Sequence, residues 1–302
     1  MTIGCKSDRT FRLRSYSEWR LKETVENNLD CLLKVLRFNE EHKILFFRIT
    51  SDLVPFASHP VNTFNWQACF RSQFQEIGDF IRKNRIRISM HPDQFTLINS
   101  VDDDIFKRSY KELAYHAQIL DSMKLDSSAK VQIHVGGVYG DKKKSIERFV
   151  RRFFELEDWI RHRIVVENDD RLYNLKDCIR VSGETHLPVL FDVFHHRINS
   201  SGESAKIALQ LASETWKKTD GIPMVDYSSQ RIGASLRQHA ESIDLRQFRN
   251  FLKETFPVDF DVMLEIKDKE KSAIKAVRAA SHDSRFLKTI LNWSETEGKA
   301  KF

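Results

Sequence analysis

The sequence predicts an α/β protein, a (β/α)8 TIM barrel with its functional site at the carboxyl ends of the strands, and three observations predict it. Eight short apolar runs recur along the chain, at residues 2–5, 44–49, 86–90, 131–135, 164–167, 189–192, 224–227 and 260–266. Runs such as Val189-Leu190-Phe191 are continuous rather than alternating, as expected for strands of a parallel sheet covered on both faces. Helical spacing fills the stretches between them, and 302 residues accommodate eight strand–helix units, a fold typically of about 250 residues before insertions. An open doubly wound sheet is the alternative, but no Gly-x-Gly-x-x-Gly follows the first run.

In chain order, Val25, Leu29, Leu32, Leu33 and Leu36 form one helical stripe that Ser17 can cap. Asp102, Asp103 and Asp104 suit a helix N-terminus, and Ile105, Leu113, His116 and Leu120 continue the helical spacing. Lys142, Lys143 and Lys144 read as a solvated helix start near the ligand end. No repeat or low-complexity linker interrupts the chain, so a single catalytic domain is expected over residues 1–291, with a polar C-terminal tail at 292–302.

Composition narrows the function classes. The net charge of +6 suits an anionic partner. Cys5, Cys31, Cys69 and Cys178 are scattered without a Cys-x-x-Cys pair, which points away from a disulfide scaffold or zinc ribbon and towards a reducing cytoplasm. No apolar run approaches the roughly 20 residues that span a bilayer, and charges occupy the N-terminal stretch where a signal peptide needs apolar residues. The expectation is a cytoplasmic protein that works without a membrane.

The chemistry lies at the strand ends. His91, His134, Glu167, Asp192, His195 and Glu265 each follow an apolar run, His59 follows the second run, and His239 lies in the long connection after the seventh. Ionised groups crowded at one mouth repel and desolvate one another unless cations hold them. Mixed imidazole and carboxylate donors suit Zn²⁺, Mn²⁺ or Fe²⁺ better than Ca²⁺ or Mg²⁺, and three carboxylates can bridge two or three ions. Such centres perform in-line phosphoryl chemistry by lowering the pKa of a bound water and stabilising the leaving oxygen. Arg9, Arg12, Arg14, Arg48, Arg231 and Arg237 fall near the same end, where they can hold backbone phosphates. His195 and His196 are neighbours and are not both expected to face one metal. No organic cofactor motif is present.

From Met-His-Pro-Asp-Gln-Phe-Thr-Leu-Ile-Asn-Ser at residues 90–100, the chain resembles the UV damage endonuclease family. The likeness extends to Leu-Arg-Phe-Asn (36–39), Pro-Phe-Ala-Ser-His-Pro (55–60), His-Val-Gly-Gly-Val-Tyr-Gly (134–140), Val-Glu-Asn-Asp-Asp (166–170), and residues 191–199 and 261–270. The resemblance implies a barrel DNA-repair nuclease that nicks immediately 5′ of ultraviolet photoproducts with a three-metal, manganese-type centre. His59, His91, His134, Glu167, Asp192, His195, His239 and Glu265 match the family's ligands; Glu167, Asp192 and Glu265 are the bridging, catalytic carboxylates. Gln94 and Phe95 match the pair pushed into the duplex at a lesion.

This chain departs from the pattern at Met224, where the family often has lysine, and at Asp226, a carboxylate in place of a metal-binding histidine. Cys5 stands for a probing tyrosine, and Asp93 and Phe95 for the commoner Gly and Tyr. The expected partner is damaged double-stranded DNA, bound by a monomer carrying two or three divalent ions, Mn²⁺ first and Zn²⁺ or Mg²⁺ as alternatives. Two other readings compete: a metal-dependent sugar isomerase on the same barrel, and a non-catalytic lesion binder suggested by Met224 and Asp226.

Overall fold

A computed structural model describes residues 3–231 and 233–286. Seven strands alternate with helices: β1 Phe46–Ile49, β2 Arg87–Met90, β3 Lys130–His134, β4 Ile164–Glu167, β5 Val189–Asp192, β6 Met224–Tyr227 and β7 Asp261–Leu264. All pair in parallel and in sequence order. β7 comes back beside β1, so the sheet forms a nearly closed TIM barrel. The register sets His134 opposite Glu167, and Asp192 opposite Asp226.

The helices begin where the local chemistry requires. In α1, Glu18–Glu41, the Ser17 hydroxyl accepts from the Arg20 N–H at 3.2 Å, and Leu21, Val25, Leu29, Leu32 and Leu36 bury one face. Asp102 caps helix Asp103–Ser122 by accepting from the N–H groups of Asp104 and Ile105. The lysine run opens helix Lys142–Phe154, where Lys142 pairs with Asp177 at 2.6 Å.

One expected strand is not formed. Thr2 lies outside the described residues, and Ile3 and Gly4 make a turn, with Gly4 at φ 70° in the left-handed region that a strand cannot pass through. Cys5 is bonded to Cys31 of α1, which ties this segment to the helix. That one bond departs from the expectation of cysteines kept reduced, and among the described residues Cys69 and Cys178 remain free. The polar tail, 292–302, and the domain end at residue 291 lie outside the described residues.

Inside the barrel, side chains alternate by twos into layers. Phe46, Val165, Leu190 and Met224 form an apolar cluster of their own, with Met263 packed against it. Met224 is thus accounted for by packing: it fills the barrel interior, fully buried. Nearer the strand starts, Lys130 is fully buried with Nζ 2.6 Å from Asp220 Oδ1, and Arg87 Nη2 donates to the Asp220 carbonyl at 2.6 Å. Two residues beyond the apolar layer come Arg48, Glu167, Asp192, Asp226 and Glu265. The opposite strand faces, with Ile133, Val166, Phe191 and Val225, pack under the surrounding helices.

Candidate metal centre

Three groups of side chains at the strand ends can each hold an ion: His91, His134 and Glu167; Glu167, Asp192 and His195; and Asp192, Asp226 and Glu265, with the donor atoms of each group within 4.8 Å of one another. Glu167 is common to the first two and Asp192 to the last two. The rings lie tilted against one another around the mouth, His91 to His134 at 5.4 Å and His134 to His195 at 5.8 Å between centroids.

The imidazoles are held from behind. Nδ1 of His91 lies 2.9 Å from the Pro92 carbonyl, Nδ1 of His195 lies 2.9 Å from the Asn168 carbonyl, and Nδ1 of His239 lies 3.1 Å from the Glu265 carbonyl. In His91 and His239 the backbone acceptor on Nδ1 leaves Nε2, 3.4 Å from Glu167 and 3.9 Å from Glu265, as a lone-pair donor, the arrangement usual behind metal-binding histidines, whereas in His195 it is Nδ1 that also faces Glu167 at 3.3 Å. Asn168 also brackets Asp192, its Oδ1 accepting from the Asp192 N–H at 2.9 Å and its Nδ2 donating to the Asp192 carbonyl at 3.0 Å.

The carboxylates divide electrostatically. Burial by itself raises Glu167, but His134, His195 and His91 outweigh it and hold that carboxyl well below the usual range. Burial pushes Asp192 well above it, against the pull of His195 and with further push from Glu167, Glu265 and Asp226. Burial likewise lifts Asp226 to about 7, with Arg48 opposing. For His195, burial lowers the pKa, yet Asp192 and Glu167 carry it up to about 11. Asp192, lifted well above the usual range among these acids, holds its charge only where a further cation is added.

The donor set fits that requirement. Asp192 Oδ2, Asp226 Oδ1 and His134 Nδ1 are buried with no hydrogen-bond partner, an expensive condition for polar atoms unless something binds there.

The other expected residues fall as follows. His239 stands beside this cluster, Nε2 3.9 Å from Glu265 Oε2, while His59 is exposed outside all three groups, its Nδ1 accepting from the Val61 N–H at 3.1 Å. His196 turns away on the helical turn Val193–Ile198 and bonds the Glu203 carbonyl. Phe95 is 71% exposed at the tip of the loop after β2, with its N–H held by Asp93 Oδ1 at 2.8 Å, and Gln94 beside it is exposed. Arg9 and Arg12 are exposed on a segment that Asn28 pins to the loop after β1. Arg231 and Arg237 are exposed and paired with Glu241 and Asp170 at 3.2 Å and 2.8 Å.

Arg48, read from the sequence as a phosphate contact, points into the barrel instead. There it meets Glu265, Asp226 at 2.6 Å and Gln132 at 2.8 Å. Gln132 was not anticipated: fully buried, it donates to Glu167 Oε2 at 2.8 Å and to Asp226 Oδ2 at 2.7 Å. A polar residue between Val131 and Ile133, two positions before His134, was the available signal.

Residues 6–292 match the family described as UV-endonuclease UvdE. The chain belongs to the UV-endonuclease UvdE family. Among curated UvdE relatives, the UV DNA damage endonuclease of Clostridium perfringens (strain 13 / Type A) is 37% identical over 299 residues, covering 98% of this chain and 73% of the relative. The crystal structure of SacUVDE superposes with a TM-score of 0.89 at 45% identity, covering 93% of this chain and 94% of that one. Family membership supports a DNA-repair endonuclease acting on UV damage. The D-psicose 3-epimerase of Clostridium cellulolyticum H10 shares the UvdE barrel at a TM-score of 0.55 and 14% identity over 84% of this chain and 92% of its own, a likeness of fold alone.

Proposed function

We propose that this chain nicks duplex DNA immediately 5′ of ultraviolet photoproducts, cyclobutane pyrimidine dimers and 6-4 photoproducts among them, using a multinuclear centre of divalent ions, Mn²⁺ foremost. The observation that carries the reading is the convergence of His91, His134, Glu167, Asp192, His195 and Glu265 at one barrel mouth, with buried carboxylate oxygens left unpaired there. Ions bound in that cup would supply an activated water at neutral pH and neutralise charge on the phosphate.

The chain's own groups do the rest. Glu167, Asp192 and Glu265 would hold and orient such ions, while His91, His134, His195 and His239 would complete the donor set, with His59 at the rim. Gln94 and Phe95 enter the duplex beside a displaced base, where an exposed ring replaces lost stacking. Arg9, Arg12 and Arg231 hold backbone phosphates and fix the register. The enzyme acts as a monomer in the cytoplasm, on the nucleoid in a prokaryote. Among the described residues no helix is long and apolar enough to cross a membrane.

The test is incision of an end-labelled duplex carrying one defined photoproduct. Wild-type protein with Mn²⁺ cuts at the 5′ side, and Glu167→Ala and Asp192→Ala fall to near background. Full activity in either variant removes the proposal. Damage binding without any nick across Mn²⁺, Mg²⁺ and Zn²⁺ supports the lesion binder; duplex binding that weakens steeply with salt favours the nuclease, and no DNA affinity removes it in favour of a metal-dependent sugar isomerase.

A further inference from the structure

The third group, Asp192, Asp226 and Glu265, differs from the other two: it contains no imidazole, and a cation is already built into it. Arg48 follows Phe46 by two on β1, so its side chain enters the barrel above the apolar layer. One guanidinium nitrogen bonds Glu265; the other lies 2.6 Å from Asp226 Oδ2 and 2.8 Å from Gln132 Oε1. Gln132 completes the frame, its amide nitrogen on the same Asp226 oxygen at 2.7 Å and on Glu167 at 2.8 Å. Asp226 Oδ2 therefore accepts from two donors, which fix the carboxylate and leave only its buried Oδ1 without a partner.

We propose that Arg48 takes the place of a third metal ion, so that the barrel binds two divalent ions, in the groups sharing Glu167, while Asp226 serves as the counter-ion of Arg48 rather than as a ligand. This rests on the metal-dependent reading above and settles its ion count.

Charge favours the same count. With neutral histidines, the four carboxylates Glu167, Asp192, Asp226 and Glu265 stand against the Arg48 guanidinium and two divalent ions, which leaves one positive charge. A single phosphodiester neutralises it. A third ion would add two more charges against a guanidinium in contact with its own ligands, where like charges at short range and low dielectric repel strongly. Met224, beneath Asp226 in the apolar layer, offers no oxygen or nitrogen to hold that ion.

The experiment counts metal. Protein stripped with a chelator, reloaded with Mn²⁺ and desalted is assayed for manganese per chain by plasma mass spectrometry, with circular dichroism to verify folding. Two per chain is expected for the wild type and for Arg48→Lys, and three for Arg48→Met. Asp226→Asn, which keeps the shape of the side chain, should still bind two, with affinity changed less than about threefold. Three ions in the wild type, or a loss of one ion in Asp226→Asn, overturns the inference and leaves the nuclease reading in place. Folded Arg48→Met that still binds two also overturns it. A wild type that binds none overturns the metal reading, and this inference with it.

Discussion

Gln132 Nε2 stands 2.8 Å from Glu167 Oε2 and holds the carboxylate that two of the three ligand groups share. Replacing it with leucine leaves buried acceptors on Glu167 and Asp226 and a donor on Arg48 with fewer partners. Gln132→Leu should weaken Mn²⁺ binding roughly 10–100-fold, as loss of such supporting contacts does, while Gln132→Glu should also lower affinity by setting an acceptor against an acceptor. Calorimetric titration with Mn²⁺ measures both; unchanged affinity in Gln132→Leu would mean that Glu167 needs no orienting partner.

Phe95 is 71% exposed and makes no contribution to the core, so Phe95→Ala should leave the melting temperature unchanged. Its effect belongs to damaged DNA: about 1–3 kcal/mol of lost stacking, or roughly 5–150-fold weaker binding to a lesion-bearing duplex. Undamaged duplex should be bound as before. Equal losses on both duplexes would make Phe95 a general contact rather than a lesion probe.

His116 gives a pH dependence separable from metal binding. It is fully buried between the Glu112 carbonyl, 2.7 Å from Nδ1, and the Ser51 hydroxyl, 2.9 Å from Nε2, and burial lowers its pKa to about 4. The unfolded chain takes up this proton near pH 6.5 and the folded chain only near 4, so the contribution is complete above 6.5 and lost as pH falls through that window. Between pH 7 and 4.5 the loss attributable to His116 is on the order of 2–3 kcal/mol. Urea midpoints at the two pH values should show a smaller difference in His116→Leu than in the wild type, and equal differences would assign the acid lability elsewhere.

Cys5 and Cys31 close a loop across a sequence separation of 26. Unfolded but unreduced protein should therefore react with a thiol reagent at two positions, Cys69 and Cys178, and at four after reduction. Native protein should react at the exposed Cys69 alone. Reduction should cost ~3 kcal/mol by chain entropy, read as a lower denaturation midpoint. Four reactive thiols before reduction would show the bond absent in solution.

Metal removal should destabilise the fold, because Asp192 lies fully buried among other acids. Mn²⁺ at about a hundred times its dissociation constant should add ~2.7 kcal/mol, and Glu167→Gln should abolish most of that gain. A melting temperature indifferent to Mn²⁺ and to chelator would mean that the cup does not take the ion.

The barrel and the contents of its mouth were legible in the sequence for one physical reason. A buried parallel strand must be apolar, so an acid or imidazole at its end stands out: Val165-Val166-Glu167 and Leu190-Phe191-Asp192 each announce a carboxylate at the mouth. What escaped notice depends on contacts between distant residues. Gln132 gains its role only where Glu167 and Asp226 come beside it. Arg48 could face phosphate or carboxylate, and only the return of β7 beside β1 brings Glu265 to it. Cys5 meets Cys31 because α1 folds back along the first segment, which no spacing rule reveals. The missing first strand is the exception, since Gly4 was a visible warning.

Glu167, held in common by two ligand groups, has a consequence for how the protein responds to metal supply. Chemistry that needs both positions filled scales with the product of their occupancies, so a half-loaded molecule is silent. Activity plotted against free manganese should rise more steeply than a hyperbola. In a metal-starved cell the enzyme would then fall silent over a narrow range of concentration instead of fading gradually.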